Sequence, residues 1–507
     1  MSPSLPALDL EDMRRRFGEA GPAKPWSSIE ELVGDPIFQE WIEAEFPAAA
    51  AAPTPNDRRE FLRLMGASLM LAGLGGCGEG RSDLARPYVT EPAETLVGAP
   101  RFYATAFCFE GLAQPVIART NAGRPTKLDG NPDHPATRGG SDAFMQASVL
   151  QLYDPDRSKA PMRNGVTDTW AAFERELAGL REQWKADQGE GLRLLIGDVT
   201  SPTIIRQLKA LLTSLPKARV HAFEPVGRGL RAEAMQAAFG RNAEAHYALE
   251  NCEVIVSIDD DLLGPGPRQV LHARGWSQRR GEAAPGKGRS RLHAAECVPG
   301  LTGAAADTRL SVDASRMPAI ALALVADFGI DGSTRADLPQ REREWVARAA
   351  RDLKDHRGRS LVTCGAHLPP HVQALAPWMN EHLGNVGATV TYAEALVFDP
   401  GAASTLADLA RDMAAGAVRT LVILEANPAY VAPGPLNFVE AMGTVQTRIH
   451  AGLYRDETAL ACHWHLPLAH PLESWGDARA VDGAACIVQP TVAPLYSTRT
   501  VSQILAM

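Results

Sequence analysis

Hydrophobic and polar positions follow two different patterns along the chain. From Phe102 to Asp129 they alternate, and turn formers at 121–123 interrupt the alternation, which predicts a small β-rich unit with a hairpin. From Val166 onward, short continuous apolar runs lie between amphipathic segments of helical period. Such runs are typical of strands in a parallel sheet that helices cover on both faces. The chain therefore predicts an α/β fold, with a small β-rich cap followed by two parallel-sheet α/β domains.

The same pattern places the individual elements. It predicts helices at 169–184, 203–215 and 229–239, and strands at 192–196, 219–222, 254–258, 361–364, 389–392 and 420–424. Ligands of such sheets bind beyond the carboxyl ends of the strands, so the polar segments after strands are candidate site segments. They span 198–202, 259–267, 364–370 and 425–429. None of these segments contains a G-x-G-x-x-G, P-loop or G-x-S-x-G motif. The sequence therefore argues against a Rossmann dinucleotide site, an NTPase and a serine hydrolase, which usually carry these motifs.

Changes in composition and in the hydrophobic pattern divide the chain into six parts. We predict a leader with a short helix and a linker, an export signal, the cap, the first part of one α/β domain, a second α/β domain, and an incomplete return segment of the first. These parts span 1–57, 58–77, 78–165, 166–250, 251–425 and 426–507.

Composition excludes several classes of protein. With 507 residues, 45% hydrophobic and 22% charged, the chain is of ordinary globular composition. Its net charge of -9 argues against a nucleic-acid partner, which normally requires a basic patch. The seven cysteines include no C-x-x-C pair, which excludes a zinc ribbon or a ferredoxin-type cluster site within any local segment.

An export signal begins unusually late. Arg58 and Arg59 precede an uncharged stretch at 64–76, and Cys77 follows it. A twin arginine before a short apolar stretch is typical of proteins that are exported folded, and the stretch is shorter than the roughly 20 residues that span a bilayer. Residues 74–77 also fit a lipobox, which predicts a lipid anchor on Cys77 at the periplasmic face of the cytoplasmic membrane. The alternative is a buried amphipathic helix followed by a loop thiol.

Several motifs together resemble a known family. Residues 123–135 (GRPTKLDGNPDHP), 152–157 (LYDPDR) and 161–163 (PMR) resemble the start of the molybdopterin oxidoreductase superfamily. More closely, the chain resembles the large iron-sulfur subunit of alternative complex III, a quinol:cytochrome c oxidoreductase. Further matching motifs lie at 26–31, 45–47, 259–267, 301–303, 306–307, 383–387, 427–428, 462–467, 473–477 and 489–496. The resemblance covers almost the whole chain.

The chain also departs from that superfamily. Its active molybdenum and tungsten members open with a cysteine set that holds a 4Fe-4S cluster, whereas here Cys108 is the one cysteine of that region and Ser141 falls near the position of the last cluster cysteine. The resemblance implies no cofactor in this chain, with 4Fe-4S and 3Fe-4S clusters in a following ferredoxin-like part or in a partner. Since the chain stops at Met507, we expect an N-terminal half that is truncated at the C-terminus. The alternative is a chain that binds molybdopterin.

The resemblance also implies candidate site residues. We expect no cofactor-binding residues. The candidates for a vestigial pterin crevice, in which the arginines could clamp a pyrophosphate, are Asn131, Asp133, His134, Arg138 and Arg157. The favoured interpretations are a loop that hydrogen-bonds its own backbone and salt bridges inside the cap.

We expect no metal site and no catalytic residues. Cys462, His463, His465 and His470 are the densest set of soft ligands, but the neighbouring Trp464 and Pro467 favour a packing role. Residues 259–261 are three aspartates that could coordinate a divalent ion, and the glycines and prolines after them favour turn chemistry instead.

Three functions compete at this stage. The leading hypothesis is a cofactor-free scaffold part of the iron-sulfur electron-transfer subunit of an alternative complex III-like enzyme, without catalysis of its own. Its partners would be an integral-membrane quinol-oxidising subunit, a multihaem cytochrome c subunit and a cluster-bearing ferredoxin-like domain or chain. The rivals are a molybdopterin oxidoreductase catalytic fragment and a lipoprotein assembly factor.

Overall fold

The computed structural model describes residues 99–225, 228–281, 289–329, 338–401 and 404–507. They fall within one compact unit, Leu96–Met507. Arg58, Arg59 and Cys77 lie outside the described residues, as does the motif at 26–31.

The cap is a three-stranded antiparallel sheet. Its strands are β1 (Arg101–Phe109), β2 (Leu112–Asn121) and β3 (Arg124–Gly130), paired in the order β1-β2-β3. Ala122 and Gly123 have left-handed φ angles of 48° and 76°, as the turn formers at 121–123 predict. Helix α1 (Ala143–Leu152) begins after Asp142, whose carboxylate accepts a hydrogen bond from the Met145 N–H.

A larger α/β module begins after the cap. Its first elements are β4 (Met162–Arg163), β5 (Val166–Thr167), α2 (Trp170–Ala186), β6 (Leu192–Ile196), α3 (Pro202–Ser214) and β7 (Arg219–Ala222). Ser201 caps α3 and Pro202 occupies its first position, where the missing N–H leaves no hydrogen bond unmade.

A smaller α/β module is inserted next. It comprises α4 (Arg228–Phe239), β8 (Ala243–Tyr247), β9 (Val254–Ile258), α5 (Gln269–Gly281), β10 (Arg291–Glu296), α6 (Leu301–Ala305), β11 (Thr308–Ser311), α7 (Met317–Ala326), α8 (Gln340–Asp355), β12 (Ser360–Cys364), α9 (Pro370–Gln373), α10 (Leu375–His382) and β13 (Val390–Glu394). Its parallel sheet has the order β11-β10-β9-β12, and β8 and β13 form a separate antiparallel pair.

The chain then returns to the larger module and the cap. The returning elements are α11 (Leu406–Ala414), β14 (Thr420–Leu424), α12 (Pro428–Val431), α13 (Phe438–Gly443), β15 (Thr447–Gly452), α14 (Glu457–Leu460), β16 (Trp464–Pro467), β17 (Gly476–Arg479), β18 (Ala485–Val488) and α15 (Val501–Leu505). The large sheet has the order β5-β4-β16-β15-β14-β6-β7, in which β7, β6, β14, β15 and β16 are parallel. The fold is therefore α/β with parallel sheets, as the sequence predicts.

Strand pairing corrects two domain boundaries. The segment 251–425 is not one domain, because β14 pairs with β6 in the large sheet. The small module instead runs from α4 to β13, and its strands β8 and β13 pair with each other. The β17–β18 hairpin of the predicted return segment packs on the cap, where Thr105 and Gln489 exchange hydrogen bonds just after β18. The apolar pattern of a strand does not reveal which sheet it joins, so these boundaries could not be read from it.

Candidate functional site

Each parallel sheet has one point at which its strand order reverses. In the large sheet, β6 leads outward to β7 while β14 leads the other way to β15, so the reversal lies between β6 and β14. In the small sheet it lies between β9 and β12. Open α/β sheets bind ligands in the crevice beyond the strand ends at this point. Two candidate crevices follow. The crevice of the large sheet, which we call the large crevice, lies beside Asp198 and Glu425, and the crevice of the small sheet lies beside Asp259 and Cys364.

The turn between β1 and β2 of the cap lies against the large crevice. Gly111 has a φ of 73°, and the Thr200 hydroxyl donates a hydrogen bond of 2.5 Å to its carbonyl oxygen. A Cβ atom at Gly111 would lie 2.5 Å from the carbonyl oxygen of Asp198, a separation that only glycine avoids. The cap is thus held against the end of β6 by close backbone contact.

Two reactive side chains belong to this crevice. Cys108, near the end of β1, and Glu425, just after β14, are both exposed to solvent. Desolvation by the surrounding protein nevertheless raises the pKa of both, to about 12 for the Cys108 thiol. Both side chains are therefore reached by solvent although the neighbouring protein disfavours their charged forms. The Glu425 carboxylate also raises the pKa of Cys108, so the two groups are close enough to interact.

Neither group is engaged by the part of the chain that the structure describes. Within that part, the Cys108 thiol makes no hydrogen bond, and the Glu425 carboxylate has neither a hydrogen bond nor an ion-pair partner. Glu425 also has a left-handed φ of 53°, which costs free energy for a residue with a side chain. An unengaged thiol, an unengaged carboxylate and a strained backbone at one strand end are typical of a binding site.

The C-terminal hairpin completes the wall of the crevice. The Asp477 carboxylate accepts hydrogen bonds from the Ser201 hydroxyl and, at 2.6 Å, from the Thr203 hydroxyl, so it ties β17 to the start of α3. Cys486 in β18 lies 3.6 Å from Nε2 of His134. Since Nδ1 of His134 accepts the Ala136 N–H, the neutral ring carries its proton on Nε2 and donates to the sulfur.

The predicted pterin-crevice residues are used mainly for structure. The Asn131 side chain accepts the Asp133 N–H, and the carbonyl oxygen of Arg138 accepts a hydrogen bond from Arg274. The Arg157 guanidinium donates hydrogen bonds of 2.6 and 3.1 Å to Glu473, and both side chains are fully buried. A guanidinium held in this way is not free to clamp a phosphate.

The four predicted soft ligands point to different partners. Nδ1 of His463 accepts the Arg448 N–H, Nδ1 of His470 accepts the Leu472 N–H, and Cys462 packs in an apolar cluster. His465 lies between two other side chains, with Nδ1 3.0 Å from Nδ1 of His450 and Nε2 2.5 Å from the Ser158 hydroxyl. Within the described ranges, no group of three or more potential ligands is arranged around a common metal position.

The three aspartates after β9 also diverge. Asp259 accepts hydrogen bonds from His367 at 2.9 Å and from the Cys297 N–H at 3.0 Å. Burial raises the Asp259 pKa, but these hydrogen bonds outweigh it and hold the pKa below its usual value. Asp261 accepts the Thr302 N–H at the start of α6, while burial raises the pKa of Asp260. The aspartates therefore act separately, as turn and capping groups do.

Sequence reasoning found part of the large crevice. The strand-end rule indicated Glu425, but Cys108 was considered only as the remnant of a cluster set. Asp477 and Cys486 were missed because the hairpin that carries them returns to the cap after more than 350 residues, as the contact of Cys486 with His134 records. The spacing of residues along the sequence does not indicate that a distant hairpin packs against the cap.

Comparisons with known proteins agree with this fold. The chain is 24% identical over 433 residues to the menaquinone reductase, molybdopterin-binding-like subunit of Nitratidesulfovibrio vulgaris, a match that covers 76% of this chain. The chain spans about 61% of the length of that relative. Acetylene hydratase from Pelobacter acetylenicus superposes with a TM-score of 0.55 and 12% identity, over 80% of this chain and 68% of the other. No family model matches the chain.

These findings support the fold class and correct one expectation. The fold is molybdopterin-oxidoreductase-like, and the two matches support a relationship to the molybdopterin oxidoreductase-like proteins rather than to alternative complex III in particular. They contradict the expectation that the chain holds no cofactor, because the curated relative is named molybdopterin-binding-like. Among the described helices, none has the length and apolar character that crossing a bilayer requires.

Proposed function

We propose that this chain is the molybdopterin-binding-like subunit of a quinone-linked electron-transfer complex, and that the large crevice takes a molybdopterin-type group. The observation that carries the proposal is the pair of unengaged side chains, Cys108 and Glu425, at the strand-order reversal of the large sheet. The name of the bacterial relative, a menaquinone reductase subunit, supports the quinone link.

The residues of the crevice fit the two ends of such a group. The amino-pyrimidinone edge of a pterin presents neighbouring N–H donors, and the unpaired Glu425 carboxylate can accept two of them. A thiol is a soft ligand, so Cys108 suits the metal that a pterin dithiolene carries. With its raised pKa, the Cys108 thiol keeps its proton until a cation displaces it. When bound, the group supplies a centre that accepts and releases electrons.

The direct test measures pterin and metal on the intact protein, purified with its complex. We expect one pterin per chain, detected as its fluorescent oxidation product, together with molybdenum or tungsten. Cys108→Ser should lose most of the metal and keep the pterin, whereas Glu425→Gln should lose both. Cys297→Ser and Glu440→Gln, which lie away from the crevice, serve as matched controls. Wild-type protein without pterin and metal contradicts the proposal, as do crevice variants that retain both.

At finer detail, we propose a complex of the alternative complex III type, a quinol:cytochrome c oxidoreductase. The sequence motifs that extend to residue 496 support this assignment. Its partners would be an integral-membrane quinol-oxidising subunit, a multihaem cytochrome c subunit, and a cluster-bearing ferredoxin-like domain or chain. Co-purification on a tag carried by this chain tests the set, since a complex without haem or clusters contradicts it.

We further propose export by the twin-arginine route and a lipid anchor on Cys77, because Arg58 and Arg59 precede an uncharged stretch that ends at that cysteine. Replacing both arginines by lysine should retain the protein in the cytoplasm. Arg14 and Arg15, which no apolar stretch follows, provide the matched lysine control. Cys77→Ser should release the mature chain from membranes in the absence of partners. Normal export of the Arg58/Arg59 variant, or unmodified Cys77 in membrane-bound protein, contradicts these proposals.

A further inference from the structure

Helix α1 of the cap carries no charged side chain. Its sequence, from Ala143 to Leu152, is AFMQASVLQL. Met145, Val149 and Leu152 pack with the strands of the cap in one apolar cluster. A helix without a charged face is typical of an element that is buried on all sides. The other side of α1 is nevertheless exposed in the part of the chain that the structure describes.

The exposed residues of α1 form one continuous stripe along the helix. They are spaced at i, i+1, i+4, i+7 and i+8, which places them on one side of a helix of 3.6 residues per turn. Phe144 is 44% exposed and Leu150 is 69% exposed. The exposed face of α2, by contrast, carries charged side chains such as those of Glu174 and Glu182. The members of the α1 stripe are Ala143, Phe144, Ala147, Leu150 and Gln151.

Aromatic rings extend this stripe towards the large crevice. The centroid of the Phe144 ring lies 4.7 Å from that of Phe109, which in turn lies 6.2 Å from that of Phe107. All three rings are at least partly exposed. The stripe and these two rings together form a surface that we call the α1 face. It ends on β1, the strand that also supplies Cys108 to the large crevice.

We propose that the α1 face is the docking surface for a partner subunit that carries an electron-transfer centre and presents an uncharged, apolar surface of its own. Contiguous exposed apolar surface marks protein interfaces, and aromatic side chains are enriched at them. The partner surface must lack charge at the contact, because a charged side chain buried against the α1 face would find no counter-charge there.

The choice of an electron-carrying partner rests on the proposed function. Electrons pass between two centres only when these lie close together, so a partner that exchanges electrons with a group in the large crevice must dock near Cys108. A second copy of this chain would bring an identical group, which provides no free-energy difference for electron transfer. A partner with a different redox centre therefore fits this place better than a second copy.

The test uses the complex purified on a tag carried by this chain. The photo-reactive amino acid p-benzoylphenylalanine, placed at Ala147, should crosslink on illumination to a subunit that carries iron-sulfur clusters or haem, which mass spectrometry identifies. The same amino acid at Leu322, an exposed position of α7, should not give that product. Leu150→Glu should reduce co-purification of that subunit at least about tenfold, because it buries an unpaired charge in the interface. Leu322→Glu should leave co-purification unchanged.

Circular dichroism establishes whether each variant is folded, and the crosslink decides the outcome if Leu150→Glu is not. Crosslinking from position 147 to a second copy of this chain, to lipid or to a subunit without a redox centre would overturn the proposal. So would the absence of a crosslink, or full co-purification with folded Leu150→Glu.

The docking proposal and the pterin proposal can fail separately. Leu150 lies outside the large crevice, so Leu150→Glu should hold as much pterin and metal as the wild type while it loses the partner. Wild-type protein that lacks pterin and metal but gives the expected crosslink would contradict only the pterin proposal. A pterin-loaded wild type without the crosslink would contradict only the docking proposal.

Discussion

Two arginines show that residue type alone does not decide a role at the residue scale. Arg157 was a candidate for a phosphate clamp, with a salt bridge as the favoured alternative, and it forms a fully buried ion pair with Glu473. Arg231 carried no sequence signal, yet it lines a cavity without an ion-pair partner among the described residues. The two arginines differ in what the fold places beside them. Arg157 meets the carboxylate of Glu473, more than 300 residues later in the chain, whereas Arg231 meets a backbone carbonyl oxygen at the end of β12. Only the fold supplies that information.

The Arg157–Glu473 pair leads to a stability prediction. Glu473→Gln leaves the Arg157 charge buried and unpaired, so the free energy of unfolding should fall by about 3 kcal/mol or more in chemical denaturation. Asp129→Asn removes an exposed pair with Lys127 and should cost less than about 1 kcal/mol. The double variant Arg157→Met/Glu473→Leu should be more stable than Glu473→Gln, because it leaves no buried charge. A loss for Glu473→Gln no larger than that for Asp129→Asn would refute this account.

At the scale of elements, the sequence predicted the bounds of the strands better than it predicted which strands pair in a sheet. The runs at 192–196, 219–222, 254–258 and 420–424 match β6, β7, β9 and β14 at both ends, because strands covered on both faces are continuous apolar runs. The partners of a strand depend on backbone hydrogen bonds, which side-chain polarity does not encode. The assignment of β14 to the wrong domain, and the unrecognised return of β18 to the cap, follow from that limit.

The outer edge of β12 illustrates a contact that no pattern predicts. The Asn380 carboxamide in α10 accepts the Val362 N–H at 2.9 Å and donates to the Val362 carbonyl oxygen at 2.8 Å. The Asn385 carboxamide oxygen similarly accepts the Ser360 N–H at 3.4 Å, and it also accepts the Ser360 hydroxyl at 3.1 Å. These buried side chains satisfy backbone groups that a neighbouring strand would otherwise pair, so the sheet ends at β12 without an open edge.

Asn380→Leu should therefore destabilise the small module. The change leaves one buried N–H and one buried carbonyl oxygen of Val362 unpaired, at a cost of about 2–5 kcal/mol in the free energy of unfolding. Native-state hydrogen exchange should also show faster exchange of the Val362 amide. Glu381→Ala, on the exposed side of the same helix, should change stability by less than about 0.5 kcal/mol. An unchanged Val362 amide in Asn380→Leu would show that the carboxamide does not complete the edge.

At the scale of the whole molecule, burial of histidines makes stability depend on pH. Eight of the 13 histidines have a lowered pKa, with desolvation as the main cause, and they are His221, His246, His272, His293, His450, His463, His465 and His470. The pKa falls to about 4 for His450 and to about 3 for His465. These two rings are stacked 5.2 Å apart and joined by the 3.0 Å contact between their Nδ1 atoms. At least one ring must remain neutral for that contact to persist, since two imidazolium rings would each present a proton there.

The sign of the pH effect follows from these shifts. In the unfolded chain the histidines bind protons below about pH 6.5, whereas His450 and His465 in the folded protein do so only near pH 4 and 3. The unfolded state therefore binds more protons between those values, and the free energy of unfolding should fall as the pH is lowered from 6.5 towards 4. Each such histidine contributes a slope of about 1.4 kcal/mol per pH unit well inside this window. Urea denaturation across the window should show a markedly smaller slope for His450→Gln/His465→Gln, whereas His371→Gln, on an exposed ring, should leave it nearly unchanged. An equal slope in the double variant and the wild type would mean that the stacked pair is already protonated in the folded protein.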